Sequence, residues 1–243
     1  MSLVATFNIE TNDAGESSHS SRRLRHSIYL GGKADAKDYD KLVHRWKITH
    51  VLNCTPRKQT NIEAGVPNYF EKPKLSSQKR LNYHRIPIYD APSSVQELQS
   101  EHEADIIRFI TKGLCHGNVL VHCSRGVSRS TTSVILYLMA KRNYSYEDAI
   151  ALIRRRRPQA EPIPAFEKWL KERDVFYQSQ RQKSNPESIN DASKSISMYN
   201  TKGPQLPPAK KTQGANTSGS FSYRTQSSSV CYWPIHRTLS FGC

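Results

Sequence analysis

The chain has 243 residues, a formal net charge of +15 and a sequence pI of about 9.7. This length allows one domain with a substantial hydrophobic core plus terminal extensions. The positive charge suits acidic partners such as phosphorylated proteins, and it would also suit nucleic acid or anionic lipid, but it does not define a fold. The longest apolar run, Val134–Ala140, is far too short to cross a bilayer, so no membrane span is expected.

The cysteines are spread along the chain without close spacing, at positions 54, 115, 123, 231 and 243. Because there is no Cys-x-x-Cys pair, a zinc cage is not expected, and the sequence predicts neither a metal nor another cofactor. The first residues lack the basic and apolar regions of a secretory signal, and Ser2 replaces the glycine that N-myristoylation needs. We therefore expect a soluble protein of a reducing compartment, in the cytoplasm, the nucleus or both.

The first 27 residues are polar without clear hydrophobic periodicity, and they are predicted to form a disordered arm. A strand, a helix and a second strand follow, at Ser27–Gly32, Ala36–Trp46 and Ile48–Cys54. Residues 55–80 form a long connection. Within it, Tyr69 and Phe70 are expected to pack back on the domain, and a place at the rim of a substrate site is the alternative.

Strands and helices continue to alternate to residue 177. The predicted elements are a strand at Leu81–Ile88, a helix at Gln96–Gly113, a strand beginning at Val119, and helices at Ser130–Lys141, Ser145–Arg157 and Pro164–Tyr177. This order predicts an α/β fold for residues 28–177, with a central, mainly parallel sheet and helices on both faces. Residues 178–243 are basic and rich in serine and threonine, which predicts a disordered tail whose apolar patch, Val230–Ile235, could dock on a partner or on the domain.

Residues 119–130, Val-Leu-Val-His-Cys-Ser-Arg-Gly-Val-Ser-Arg-Ser, carry the chemistry of the chain. An apolar strand ends at His122 and Cys123, a tight loop follows, and a helix begins near Arg129. The backbone N–H groups at such a junction favour an anion and hold a facing cysteine as the reactive thiolate. Arg129 adds a planar pair of donors for phosphate oxygens. The pattern predicts a phosphate cradle with a nucleophile at its base. A buried core cysteine with Arg129 on a solvated face is the alternative.

The stretch His122–Ser130 resembles the active-site loop of the cysteine-dependent dual-specificity protein phosphatases. Ile28–Gly31 and Ile48–Asn53 are similar to the opening of that domain, so the resemblance extends beyond the loop. It implies a protein tyrosine phosphatase-like α/β fold and a phosphoprotein substrate. The stretch before residue 28 is too short for a kinase-docking domain, which is typical of the small atypical members.

The resemblance also implies roles for the residues around Cys123. Asp90 lies in a loop 33 residues before Cys123, as the family's general acid does, although it could instead cap the turn before a proline. Asp105 is a weaker candidate because it lies within a helix. Ser130 corresponds to the hydroxyl that hydrogen-bonds the cysteine sulfur, and His122 to a residue that supports the loop from beneath.

The residues expected to bind phosphate are those of the loop itself: Ser124, Arg125, Gly126, Val127, Ser128 and Arg129. Arg125 either faces the mouth of the site or is a solvated loop residue. The run Arg154–Arg157 is expected to complement a helix C-terminus, with docking of acidic substrates as a second role. Pro162–Phe166 departs from the family pattern, since the proline and phenylalanine match and the asparagine and glycine do not. This departure raises the question of how the loop is supported from behind.

Cys54 ends a strand expected to lie near that of Cys123, so a reversible protective disulfide between them is one interpretation. A small buried residue is the favoured alternative for Cys54, and Cys115 is the other candidate disulfide partner.

The leading hypothesis for function is the hydrolysis of phosphotyrosine and of phosphoserine or phosphothreonine through a cysteinyl-phosphate. A phosphatase of phosphoinositides, RNA 5′-phosphates or glucans is the runner-up. A non-catalytic phospho-binding module is disfavoured because Cys123, Arg129 and Asp90 are intact.

Overall fold

The computed structural model describes residues 1–11, 22–57, 65–72 and 75–184. Predictions that concern residues beyond 184, including the patch Val230–Ile235, lie outside the described residues. Within the described part, five strands form one sheet: β1 (Ser2–Thr11), β2 (Arg22–Gly31), β3 (Ile48–Asn53), β4 (Asn82–Arg85) and β5 (Asn118–His122). The sheet order is β1-β2-β5-β3-β4. Only the β1–β2 pair is antiparallel, so the predicted central, mainly parallel sheet is confirmed.

Helices cover both faces of this sheet, as the alternating pattern predicts. They are α1 (Lys33–Lys37), α2 (Ser94–Glu97), α3 (Glu103–His116), α4 (Arg129–Arg142), α5 (Tyr146–Arg156) and α6 (Pro164–Ser184), with π-helical turns at Asp40–Arg45 and Leu98–His102. The larger core lies between the sheet and α3–α6, and its centre is α4, whose residues from Arg129 to Met139 are all buried. A smaller core on the other face contains Leu42, Val51, Phe70 and Leu120.

The prediction of a disordered arm over residues 1–27 is wrong for the residues that form β1 and the start of β2. β1 pairs with β2 along its whole length, from Ser2 opposite Leu30 to Thr11 opposite Arg22. A register shift between Leu3 and Ala5 marks a β-bulge. Beyond the bulge, apolar Ala5, Phe7 and Ile9 alternate with polar residues, so the sequence does carry the period of two that indicates a strand, within a segment whose overall polar composition suggests disorder.

The last predicted helix is also longer than expected, because α6 continues seven residues beyond Tyr177 to Ser184. Residues 178–184 therefore belong to the domain and not to the predicted disordered tail. The side chain of Arg181 donates to the carbonyl of Met139 at 3.1 Å and lies 3.9 Å from the Asp174 carboxylate. These contacts hold the extension of α6 against the end of α4.

The long connection after β3 packs against the sheet, as predicted for Tyr69 and Phe70. Phe70 is 8% exposed and meets the ring of Tyr39 edge to face, at 5.1 Å between centroids. Arg85, at the end of β4, ties the start of the connection to its middle. Its guanidinium donates to the carbonyls of Thr55 and Val66, each at 2.8 Å. The connection is thus anchored at the carboxyl edge of the parallel strands, where Cys123 also lies.

Candidate active site

Cys123 lies at the carboxyl edge of the sheet, directly after β5, with Gly31 and Asn53 on the two flanking strands. The loop of residues 124–128 then turns into α4. The Cys123 side chain is buried at the base of this loop. Its sulfur accepts a hydrogen bond from the Gly126 backbone N–H at 3.1 Å and from the Ser130 hydroxyl at 3.3 Å. One donor of the loop and one of α4 therefore meet the sulfur.

The pKa of Cys123 is lower than that of an ordinary cysteine. Burial alone would raise this pKa, because it disfavours the charged thiolate. Hydrogen bonds from Ser130 and Gly126 and the positive charge of Arg129 together outweigh burial. The net effect keeps Cys123 in the nucleophilic thiolate form at lower pH than a free thiol.

Arg129 joins the phosphate loop to the loop that carries Asp90. One terminal nitrogen donates to the carbonyl of Ile88 at 3.3 Å, and the other donates to the Ser124 hydroxyl at 3.2 Å. The guanidinium is 5% exposed, and its Nε has no hydrogen-bond partner among the described residues. A buried donor without a partner is costly, so Nε is available to an incoming acceptor such as a phosphate oxygen.

Asp90 is the acidic residue that the structure places beside Arg129, with 3.9 Å between a carboxylate oxygen and Arg129 Nε. Its side chain is 29% exposed, so it can meet a substrate at the mouth of the loop. The weaker candidate, Asp105, lies on α3 and pairs with Arg108 at 2.9 Å. The geometry therefore brings together Asp90, Arg129 and Cys123.

The underside of the phosphate loop rests on Arg157, for which the sequence predicts a place at a helix C-terminus, with docking of acidic substrates as a second role. Its Nε donates to the Gly126 carbonyl at 2.6 Å, and a terminal nitrogen donates to the Arg125 carbonyl at 2.8 Å. Arg157 is 7% exposed, whereas the neighbouring residues 154–156 are exposed. Because Arg157 binds the carbonyl of the peptide between Arg125 and Gly126, the N–H of that peptide is held toward the Cys123 sulfur. The sequence signal is only that this arginine directly precedes a proline.

Gly126 is required by the same close packing. Its φ is +70°, in the left-handed region, and a Cβ there would lie 2.4 Å from the carbonyl oxygen of Gly31. On the neighbouring strand end, the N–H of Lys33 donates to the Ser124 carbonyl at 2.9 Å. The β2–α1 junction thus packs directly against one side of the loop.

The segment before α6 also supports the loop, although it lacks the asparagine and glycine of the family pattern. The N–H of Glu161 donates to the Val127 carbonyl at 2.9 Å, and the N–H of Ile163 donates to the Ser128 hydroxyl at 3.2 Å. Phe166 is fully buried. Since the support comes from backbone groups, it does not depend on the two side chains that differ.

His122 is fully buried beneath the loop, and its Nδ1 lies 3.4 Å from the Cys123 carbonyl. Burial, with a smaller contribution from the charge of Arg85, lowers the pKa of His122 to about 4. The ring is therefore neutral at physiological pH. Its Nε2 has no hydrogen-bond partner among the described residues.

Cys54 and Cys123 follow paired positions on neighbouring parallel strands, since Asn53 lies opposite His122. Strands in a sheet are about 4.8 Å apart, a spacing compatible with a disulfide. In the structure both are free thiols. Burial raises the pKa of Cys54 to about 12, and its sulfur lies 3.3 Å from the Ser133 hydroxyl. The rival, Cys115, lies near the C-terminus of α3, at the opposite end of β5.

Arg125 is exposed on the loop. Among the described residues, no three His, Cys, Asp or Glu side chains lie together so that they could hold a metal ion. Within the same residues, no helix combines the length and apolar character needed to cross a membrane.

The central sheet is flanked by helices, and a buried cysteine of lowered pKa lies at the base of a loop, beside an arginine and an aspartate. This arrangement is that of the protein tyrosine phosphatase-like class. Residues 28–175 match the family described as dual specificity phosphatase, catalytic domain. The chain belongs to this family.

Curated relatives include human dual specificity protein phosphatase 15, which is 36% identical over 146 residues, or 60% of this chain and 43% of the relative. Mouse dual specificity protein phosphatase 22 is 34% identical over 146 residues, or 60% of this chain and 68% of the relative. The chain spans 43–54% of the length of the three dual specificity protein phosphatase 15 relatives. A crystal structure of DUSP15 aligns with 64% of this chain and 88% of its own, at 32% identity and a TM-score of 0.49.

Proposed function

We propose that this chain is a dual-specificity protein phosphatase that hydrolyses phosphotyrosine and phosphoserine or phosphothreonine through a cysteinyl-phosphate. The observation that carries the proposal is the grouping of Cys123, Arg129 and Asp90 around one loop, whose Gly126 N–H donates to the Cys123 sulfur. The names of the curated relatives, which are dual specificity protein phosphatases, favour a phosphoprotein substrate.

In the first step, the phosphate of the substrate binds to the N–H groups of residues 124–129 and to the guanidinium of Arg129. These donors neutralise the dianion and match the charge on the equatorial oxygens of the transition state. The Cys123 thiolate attacks phosphorus in line, the S–P bond forms and the bond to the leaving oxygen breaks. Asp90, in its protonated form, gives its proton to that leaving oxygen.

In the second step, Asp90 is a carboxylate and takes a proton from a water molecule that attacks the phosphorus of the cysteinyl-phosphate. The new O–P bond forms, the P–S bond breaks and inorganic phosphate is released. The Ser130 hydroxyl, 3.3 Å from the sulfur, stabilises the departing thiolate. His122, buried and neutral, supports the loop and transfers no proton.

The chemistry itself requires a reduced Cys123, so a reducing compartment, the cytoplasm or the nucleus, suits the enzyme. The net charge of +15 favours acidic phosphorylated partners. The same positive charge would suit nucleic acid or anionic lipid.

The proposal is tested with a panel of phosphotyrosine and phosphothreonine peptides, phosphoinositides and a 5′-triphosphate RNA, each assayed for phosphate release. We expect turnover of both peptide types and its loss in Cys123→Ser. Turnover of phosphoinositides or RNA alone would replace the protein substrate with a non-protein one. Tight phosphopeptide binding without hydrolysis of any substrate would instead indicate a phospho-binding module.

A further inference from the structure

We infer that Ser94 is a positioning residue that holds the Asp90 loop in its working position before substrate binds. The inference rests on the proposed function, since it concerns the proton transfer assigned to Asp90. It is drawn from the hydrogen bonds of residues 86–95, which follow β4 and include Asp90.

The Ser94 side chain is buried, 2% exposed, under the loop. Its Oγ accepts a hydrogen bond at 3.0 Å from the backbone N–H of Tyr89, the residue directly before Asp90. The backbone N–H of Ser94 donates to the Ala91 carbonyl at 3.2 Å, on the other side of Asp90. Ser94 thus binds the chain both before and after the proposed acid.

The loop is also fixed where it leaves β4. The carbonyl of Ile88 accepts from Arg129 at 3.3 Å, and the N–H of Ile88 donates to the Ile86 carbonyl at 2.8 Å. The segment between Ile88 and Ala91 is held by the Ser94 hydroxyl, which accepts from the Tyr89 N–H. This hydrogen bond sets the direction of the backbone at Tyr89. The Asp90 carboxylate, 3.9 Å from Arg129 Nε, therefore already lies beside the phosphate site.

Loss of the Ser94 hydroxyl leaves the Tyr89 N–H without this acceptor and lets Asp90 move away from the leaving oxygen. General acid catalysis matters most when the leaving group is poor. The expected defect is therefore specific: hydrolysis of a phosphate ester with a weakly acidic phenol should fall, and hydrolysis of a strongly activated ester should not.

The test compares phenyl phosphate, whose phenol has a pKa near that of tyrosine, about 10, with an activated fluorogenic aryl phosphate. We expect Ser94→Ala to lower kcat/KM for phenyl phosphate by about tenfold, the effect of one hydrogen bond, and to leave the activated ester nearly unchanged. Ser94→Thr, which keeps the hydroxyl oxygen, should restore the wild-type ratio. An equal loss on both esters would overturn the inference.

Combining the substitutions separates positioning from a general loss of structure. In an Asp90→Asn background, Ser94→Ala should cause no further loss on phenyl phosphate, because both changes act through one group. A further loss of about tenfold in that background would show that Ser94 acts independently of Asp90. Failure of the wild-type enzyme to hydrolyse either ester would refute the proposed function instead.

A second pair of variants tests the same hydrogen bond from its donor side, in case Ser94→Ala does not fold. Tyr89 is 37% exposed, so its side chain can be replaced without leaving a cavity, and Tyr89→Pro removes the N–H donor. Tyr89→Ala keeps the N–H and is the matched control. We expect the leaving-group defect in Tyr89→Pro only, and the same ratio in both variants would contradict the role given to this hydrogen bond.

Discussion

Replacing Arg157 with methionine is expected to disable the phosphate loop without touching any group that meets substrate. Methionine keeps an unbranched stem of similar length and loses the two donors to the carbonyls of Gly126 and Arg125. Hydrogen bonds from a charged group each contribute about 1.5–3 kcal/mol. If about 2 kcal/mol of this total is lost from transition-state stabilisation, kcat/KM falls about thirtyfold.

The assay is steady-state hydrolysis of an aryl phosphate, combined with the pH dependence of Cys123 alkylation by iodoacetate. The Gly126 N–H, which donates to the Cys123 sulfur, shares a peptide unit with the Arg125 carbonyl. Release of that carbonyl should therefore also raise the pKa of Cys123 toward the ordinary value. Arg155→Met is the matched control, since it removes an exposed arginine from the same helix end. A folded Arg157→Met enzyme with kcat/KM within about threefold of wild type would refute the support assigned to Arg157.

Three further outcomes are expected. Ser130→Ala should raise the pKa of Cys123, which would shift the pH profile of Cys123 alkylation to higher pH. It should also slow the breakdown of the phosphoenzyme, so that a burst of product precedes slow turnover. An unchanged alkylation profile would contradict this prediction. Gly126→Ala places a Cβ 2.4 Å from the Gly31 carbonyl oxygen and should destabilise the fold by at least about 2 kcal/mol in urea unfolding, whereas wild-type stability would be inconsistent with the packing. After mild peroxide, wild type should recover activity with a thiol reductant, and Cys54→Ser should not; equal recovery would exclude a protective Cys54–Cys123 disulfide.

Much of the site could be predicted because its parts follow one another in the chain. A strand, Cys123, a short loop and Arg129 follow one another directly, so the nucleophile, the donors and the cation must lie close together. The helix α4 is recognisable in the sequence as a buried apolar helix. The role of Asp90 could not be predicted from the order of residues alone, because only the resemblance to a family indicated which acidic residue would lie near Cys123. Its position beside Arg129 depends on β4 and β5 both ending at the same edge of the sheet.

What the sequence did not reveal depends on contacts between backbone groups and distant side chains. Arg157 is one of four consecutive arginines, and only the proline that follows it distinguishes it locally from its exposed neighbours. The same holds for the backbone N–H groups of Glu161 and Ile163, which carry no signal in the side-chain pattern. The alternation of β1 from Ala5 to Glu10 is visible in the sequence, but the polar composition of the first 27 residues outweighs it. The expected continuous helix at 36–46 is interrupted at Asp38, whose backbone is extended.

The central claim is that Cys123 carries the phosphoryl group during turnover. It is tested most directly by mass spectrometry of the enzyme quenched in acid while it hydrolyses a phosphotyrosine peptide. We expect one phosphoryl group on the peptide that contains Cys123, present in the wild-type enzyme and absent in Cys123→Ser, which should not turn over. Full turnover by Cys123→Ser, or steady hydrolysis with the phosphoryl group on another residue, would contradict the mechanism.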